Sequence, residues 1–532
     1  MSLEHLSYSD TTYYSDLIID YINGSNNLSS FYGNTPDLKG FEKQLALKST
    51  FSKTHRKRLV SCLKKQYKEV DTSDFVLDRI DQLSSEHTYT VTTGHQLNLF
   101  TGPLYFLYKI ISVINLCKSL KEAHPNCEFV PIYWMATEDH DFEEINHFYL
   151  RGKVFRWEGQ EAQTGGVGAF KTDGLQTVMK LLEAELGTSK AAKDLIDLFK
   201  KAYVDHSTLS EATFYLANEL FKEDGLVVLE PNKKELKELF IPQIKKDLFN
   251  QIGFKKVSEQ IELLTKESYS IQVNPRELNF FYLKEGLRER IVEENTVYTV
   301  LNTDLKFTKE ELELELEQHP ERFSPNVITR PLYQEVILPN LAYIGGGGEL
   351  AYWLELKTMF EAQEIPFPIL MIRDSVLIIS KKQSVKMDKL GLSNADLFLK
   401  RGDLINKHIR KISNIDIDLS PIKNQLNEHF EALYEIAKQT DASFLGAVKA
   451  QEKKQLKGVA KLEKRLLKAQ KHKLSSEVVR LVDLQEELFP REGLQERNTN
   501  FSEFYLEYPH TFKEALLKNL NPLKKEFTIL KL

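Results

Sequence analysis

The sequence predicts an α/β protein: a doubly wound, Rossmann-like parallel sheet with two insertions, continued into a C-terminal α-helical coiled coil. Three observations predict it. Two strand candidates flank a helix-period segment within residues 88–135, strand character returns at 338–344 and 368–372, and after Lys381 the apolar residues recur in steps of three and four.

Residues 1–85 read as helical and connecting, with apolar spacing in Leu59, Cys62 and Leu63 and a basic stretch over 53–65. The first strand, 88–92, is β-branched and aromatic; it stops at Gly94 and hands over to His95, Gln96 and Asn98. Pro103 suits the first turn of a helix whose apolar positions, Leu104, Leu107, Tyr108, Ile111, Ile114 and Leu116, run to about Leu120. Residues 129–135 form an apolar run too short for a helix and apolar on both faces, as a central parallel strand is. Its carboxyl end carries Glu138, Asp139, His140 and Asp141. Two strands joined by a crossover helix lie parallel, so both polar corners open on one sheet edge, where α/β sheets bind ligands.

Glycines Gly159, Gly165, Gly166 and Gly168 precede an amphipathic helix, 175–186, in a first insertion, and 226–229 is a buried strand. A second insertion holds a short strand at 270–273 and the acidic run 310–317, read as a solvated helix face. The strand 338–344 leads through Gly345, Gly346, Gly347 and Gly348 into a helix starting near Glu349. Leu426, Phe430, Leu433 and Ala437, then Leu456, Val459, Leu462, Leu466 and Ala469, mark the coiled coil, with a lysine stripe (Lys453, Lys457, Lys461, Lys464, Lys468, Lys471) along it. The expected organisation is core over 1–150 and 201–250, insertions over 151–200 and 251–325, core again over 326–380, coiled coil over 381–475, and a segment 476–532 returning to the core.

The 532 residues carry 71 basic and 77 acidic side chains, a net charge of −6, which argues against a whole-protein nucleic-acid binder. Cys62, Cys117 and Cys127 lie apart and form no C-x-x-C pair, so neither a disulfide framework nor a cysteine zinc site is indicated. The amino terminus lacks signal-peptide character and no apolar run reaches the roughly 18 residues of a membrane span, so a cytoplasmic protein is expected.

Three constellations could carry chemistry. Thr93, Gly94, His95 and Gln96, at a strand end close to a helix amino terminus, offer backbone N–H groups to an anion. The cluster Glu138, Asp139, His140 and Asp141 could hold an amine, orient a general base or bind a divalent ion, in competition with plain helix capping. The four glycines at 345–348 could let a ligand approach the backbone, by close contact or positive φ, although no Walker A or G-x-G-x-x-G pattern is present. Arg276, Arg288, Arg290 and Arg330 suit bidentate recognition of carboxylate or phosphate.

The blocks Thr93-Gly94-His95-Gln96 with Leu99 to Pro103, Ala136 to Phe142, Gln272 to Glu277 with Arg288 to Ile291, Arg322 to Val327 with Arg330 to Glu335, Gly345 to Trp353, and Leu488-Phe489-Pro490 with Gly493 to Arg497 run in order over most of the chain. In these blocks the chain resembles the bacillithiol biosynthesis cysteine-adding enzymes, departing at position 95, where Gln is commoner in that family. The resemblance implies a core like that of class I aminoacyl-tRNA synthetases and a homodimer formed through the antiparallel coiled coil. It implies a carbon–nitrogen ligase that joins L-cysteine to glucosaminyl-malate in the last step of bacillithiol synthesis. Amide formation is uphill in water, so ATP is expected, with Mg as a candidate companion ion. Gly94-His95 looks like a reduced form of the synthetase Gly-His pair, while the Lys-Ser-Lys loop of those enzymes has no counterpart around Arg373-Asp374-Ser375 or Ser380-Lys381-Lys382. Asp139 and His140 are the first candidates for deprotonating the amine, with backbone amides around Gly94 stabilising developing charge. No zinc is expected. A synthetase-like RNA-binding or tRNA-modifying protein using the lysine stripe, and a non-catalytic coiled-coil scaffold, are the rival classes; nucleic acid and membrane are not expected partners.

Overall fold

The computed structural model describes residues 2–159 and 163–532. It divides into two compact units, Leu3–Leu377 with Gln495–Leu530, and Ile378–Leu494 with Ser2 and Lys531–Leu532.

In the larger unit the first strand, Thr88–His95 (β1), is wholly buried and three residues longer than its β-branched run, because Thr93, Gly94 and His95 stay in register with Tyr133, Trp134 and Met135. The chain then turns sharply through Phe100, Thr101 and Gly102, all at positive φ. Tyr203 and Asn500 hold this turn: the Tyr203 hydroxyl accepts from the Phe100 N–H, and the Asn500 amide donates to the Phe100 and Gly102 carbonyls. The following helix, Tyr105–Ala123 (α1), therefore starts beyond Pro103, which lies just outside the cap rather than in the first turn. Strand Glu128–Met135 (β2) pairs parallel to β1. A crossover that includes helices Leu175–Leu186, Lys190–Tyr203 and Leu209–Phe221 leads to Val227–Leu229 (β3), parallel to β2.

The second insertion is a five-stranded antiparallel sheet of Phe280–Lys284 (β4), Leu287–Glu294 (β5), Val297–Val300 (β6), Lys306–Phe307 (β7) and Phe323–Pro325 (β8), in the order β7-β6-β5-β4-β8. The strand expected over 270–273 does not form. The amides of Gln272 and Val273 donate to the Glu355 carboxylate at 2.7 and 3.4 Å, and a side-chain acceptor takes the place of a strand neighbour. The acidic run lies on helix Lys309–Gln318, where Lys245 pairs with Glu313 and Glu317.

Helix Arg330–Ile337 (α2), strand Asn340–Gly345 (β9), helix Gly347–Trp353 (α3) and strand Ile369–Ile372 (β10) complete the core. The parallel order is β10-β9-β1-β2-β3. The chain winds from β1 to β3 on one side and from β9 to β10 on the other, so the winding reverses between β1 and β9. Ligands of such sheets bind outside the strand carboxyl ends at that point.

In the smaller unit, helices Ser420–Ala437 (α4) and Ala442–Lys473 (α5) form an antiparallel hairpin, since Tyr434 meets Glu452 at 2.6 Å while Lys423 meets Glu463 at 2.6 Å. Phe430, Ala437 and Val448 pack with Leu426 and Tyr434. Leu433 and Leu462, expected on the seam, are exposed at 41% and 58%. Among the described residues, no helix is long and apolar enough to cross a membrane.

Candidate active site

A cavity of about 480 Å³ opens at the carboxyl ends of β1, β2 and β9. Five cationic side chains, Lys109, Arg288, Arg330, Arg373 and Arg497, and three carboxylates, Glu138, Asp139 and Glu349, border it. The excess of positive charge suits an anionic ligand.

The inner wall is built from charges that are buried or half-buried and paired, with Arg330 Nη2 and Arg373 Nε left without a hydrogen-bond partner among the described residues. Lys109, on α1, reaches the Gly94 carbonyl at 2.8 Å and the Glu349 carboxylate at 2.6 Å. Glu349 also accepts from the Gly346 N–H at 2.9 Å, capping its own helix, and from the Tyr343 hydroxyl at 2.6 Å. Burial opposes the charge on Glu349 but is outweighed by Lys109 and these donors, which hold its carboxyl at about 2. Burial also draws Lys109 below the ordinary lysine value, against the pull of Glu349. Arg373 pairs with the fully buried Glu496 at 2.6 Å. Arg330 donates to Gln334 and lies 5.4 to 5.9 Å from the ring centres of Trp134, Tyr343 and Trp353, a cation–π cage.

The rim at the end of β2 is different. Asp139 accepts from the Gln96 amide at 2.8 Å and from the His140 N–H at 2.7 Å, and its side chain is 30% exposed. His140 is 58% exposed, and its Nδ1 lies 2.9 Å from an Arg288 guanidinium nitrogen. A guanidinium can only donate, so His140 Nδ1 is the acceptor and its proton sits on Nε2. Glu138 is buried and paired with Lys237 at 2.6 Å; burial raises its carboxyl against that pairing.

Several expectations shift. Gly94 lies inside the strand ladder opposite Trp134, with α1 starting only at Tyr105, so Lys109 and Arg330, rather than free amides and a helix end, charge that corner. Thr93 donates to the Ile344 carbonyl as a strut between strands. Asp141 caps helix Phe142–Ile145, accepting from Glu144 N, and does not border the cavity. Asn98 belongs to a neighbouring hollow. Arg288 and Arg330 border the cavity, whereas Arg276 is exposed elsewhere and Arg290, farther along β5, is not on it. Of the glycine loop, Gly346 and Gly348 face the cavity, while Gly347 faces Tyr14 and Ile18. None of the four has positive φ. Gly345 is sterically confined, since a Cβ there would lie 3.0 Å from side-chain atoms of Tyr343, Glu349 and Leu350, a tight contact.

His95 borders the cavity but is 7% exposed, stacked on Tyr105 at 5.2 Å. Burial, and then Lys109, lower its imidazole to about 3, so it is a neutral ring at pH 7. Its Nδ1 lies 2.9 Å from the Gln96 carbonyl and therefore carries the proton.

Lys109, Glu349, Arg373, Lys237, Tyr343 and Arg497 were not singled out from the sequence. A trace of Lys109 was present: it is the one charged residue between Leu104 and Cys117, in an otherwise apolar helix. Among the described residues no three His, Cys, Asp or Glu side chains cluster as a metal site. Burial pushes the Cys62 and Cys117 thiols up to about 11 and about 12, and no cysteine borders the cavity.

Family models match both parts of the chain: Bacillithiol biosynthesis BshC, N-terminal Rossmann-like domain, over residues 1–374, and the C-terminal coiled-coil domain of the same family over 376–532. A protein of Christiangramia forsetii described as "Putative cysteine ligase BshC" is 52% identical over 99% of this chain and 98% of its own length. One of Flavobacterium johnsoniae with the same description is 52% identical over the full length of both, and one of Salinibacter ruber is 28% identical over 95% of this chain and 93% of its own. A solved structure titled as an arginyl-tRNA synthetase of Campylobacter jejuni covers 82% of this chain and 93% of its own at 10% identity, with a TM-score of 0.22, and bears no weight here. Matched along both domains and at this identity to full-length relatives, the chain belongs to the bacillithiol biosynthesis BshC family.

Proposed function

We propose that this protein is an ATP-dependent ligase that joins the carboxyl group of L-cysteine to the amine of glucosaminyl-malate, the last step of bacillithiol synthesis. The observation that carries the reading is the strand-end cavity, where a positively charged inner wall faces a solvent-accessible carboxylate, Asp139, in a chain whose full-length relatives are described as cysteine ligases.

The chemistry divides along the same line. Bound ATP would supply activation of the cysteine carboxylate by a phosphate leaving group, and Lys109, Arg330 and Arg373 would hold its phosphates in their positive field. Asp139 takes the proton from the amine, held in place by the Gln96 amide. The amine nitrogen then attacks the acyl carbon; the C–N bond forms, the C–O bond to phosphate breaks, and the leaving phosphate carries the electron pair. His140 and Arg288 flank Asp139 and orient the acceptor. Mg would accompany the nucleotide phosphates, and cysteine is recognised without zinc; stoichiometric zinc in the purified protein, with cysteine binding lost on its removal, would overturn that last point.

The decisive experiment is a thiol profile of a deletion strain. Loss of bacillithiol with accumulation of glucosaminyl-malate is expected, and an unchanged profile would refute the assignment. We place the reaction in the cytoplasm and the subunit contact on the coiled coil, where Leu433, Ile436, Phe444, Leu445 and Leu462 are exposed. Light scattering should find a dimer, and Leu462→Glu should give monomers.

A further inference from the structure

Four of the five cations bordering the cavity are engaged: Lys109 with Glu349, Arg373 with Glu496, Arg288 with His140 and Ser324, and Arg330 with Gln334 inside its aromatic cage. Arg497 is the exception. It is exposed on the short helix Gln495–Asn498, and among the described residues its guanidinium makes no hydrogen bond or ion pair. Its backbone is nonetheless anchored. The preceding residue, Glu496, is fully buried and accepts from Arg373, from the Ser375 hydroxyl and from the Val376 N–H at 3.1 Å. A pinned main chain carrying a free guanidinium is preorganised for an incoming anion, because little freedom remains to be lost on binding except in the side chain.

Two hollows meet at this residue. The strand-end cavity and a neighbour of about 340 Å³ share Gln96, Tyr105 and Arg497. The outer hollow has a different chemistry: its walls include the amides of Asn98 and Asn498, the Glu144 carboxylate, His147 and the ring of Tyr149. Amide and carboxylate groups beside an aromatic face suit a ring that bears hydroxyl groups.

We infer that one ligand spans both hollows, with a hydroxyl-bearing ring in the outer one and an anionic group, carboxylate or phosphate, held by Arg497 at the junction. The ligand's identity rests on the proposed function, under which two molecules have this form: glucosaminyl-malate, with a sugar ring and carboxylates, and ATP, with a ribose and phosphates. Either way, Arg497 reads the anion from the solvent side while the engaged cations stay with their partners.

Calorimetric titration of the full-length protein with four separate probes tests this: glucosaminyl-malate, L-malate, ATP and inorganic triphosphate. Arg497→Ala should weaken one anion family by about ten- to a hundredfold, the loss of a charge-assisted hydrogen bond, and Arg497→Lys should recover part of it. Loss for the two malates assigns a carboxylate; loss for ATP and triphosphate assigns a phosphate. Tyr149→Ala should weaken only the ring-bearing member of that family, and Tyr149→Phe should restore it. Unchanged affinity for all probes in Arg497→Ala, or equal loss for ring-bearing and ring-free probes in Tyr149→Ala, would overturn the inference. Wild-type protein that binds none of the probes would do the same. These are binding measurements, so protein that behaves as expected here yet forms no amide would sink the ligase reading alone.

Discussion

The inner wall and the rim of the cavity are made of the same residue types under opposite conditions. At the inner wall the buried Lys109 is bound to Glu349, whose side chain is 27% exposed but fixed by three donors, and Arg373 is bound to the buried Glu496. At the rim Asp139 and His140 are partly exposed; Asp139 is held by Gln96 and one backbone amide, and His140 by Arg288 and the ring of Phe281. A buried, paired charge is costly to disturb and fixes geometry and field. A half-exposed one can exchange a proton with a ligand at little cost. The wall shapes the site, and the rim is where proton transfer is to be sought.

That contrast predicts a hierarchy of effects. If Asp139 is the proposed base, Asp139→Asn should lower the ligation rate about 10² to 10⁴-fold while leaving the melting temperature near that of wild type, because its side chain is 30% exposed and lies outside the core. Steady-state rates and thermal unfolding of the same preparation check this; unchanged turnover would move the base elsewhere. His140→Ala should cost less, since its contact is with Arg288 at the surface.

Lys109→Met should act through the fold. It removes the cation paired with Glu349, but that carboxylate is 27% exposed and keeps Tyr343 and the Gly346 N–H as donors, so the cost should fall below the roughly 3–5 kcal/mol of a fully buried pair and be readable in urea unfolding. A variant as stable as wild type would show that the inner wall is not the rigid element described.

The acid limb of stability comes next. Glu349, held at about 2 against an ordinary 4.5, stabilises the fold fully above 4.5 and loses that contribution as the pH falls toward 2. His95, lowered to about 3 from 6.5, is neutral when folded and takes a proton more readily when unfolded, so stability falls as the pH drops from about 6.5 toward 3. His95→Gln should therefore flatten the decline between pH 6.5 and 4 in a melting series. The same variant should keep any pH–rate limb near neutrality, because wild-type His95 does not titrate there; a lost limb would restore it as a catalytic base.

The smallest effects separate the two central glycines. A side chain at Gly346 points toward Glu349 and Arg373, about 3.6 to 3.7 Å away, and Gly346→Val should weaken ligand binding. Gly347→Val should leave calorimetric affinity unchanged, since that position faces Tyr14 and Ile18.

Much of the core was legible because parallel strands buried on both faces cannot hide their composition. The runs at 88–92 and 129–135, the apolar helix between them and the strands at 338–344 and 368–372 all appear within a few residues of where they were expected. Boundaries moved where tertiary partners intervened: register with β2 lengthened β1, and Tyr203 and Asn500 delayed the start of α1. The strand expected at 270–273 was lost because Glu355, more than 80 residues away, takes its amides.

By itself the sequence determined the doubly wound core, the coiled-coil region and the two strand-end corners, because hydrophobic period and turn chemistry are local properties. Only the tertiary structure decided which charges are engaged. Lys109 is buried because β1 and α3 place Gly94 and Glu349 around it, and Arg497 reaches the cavity because the chain returns there after the smaller unit. Charge pairing depends on distances between residues far apart in sequence, and composition and spacing carry no record of those distances.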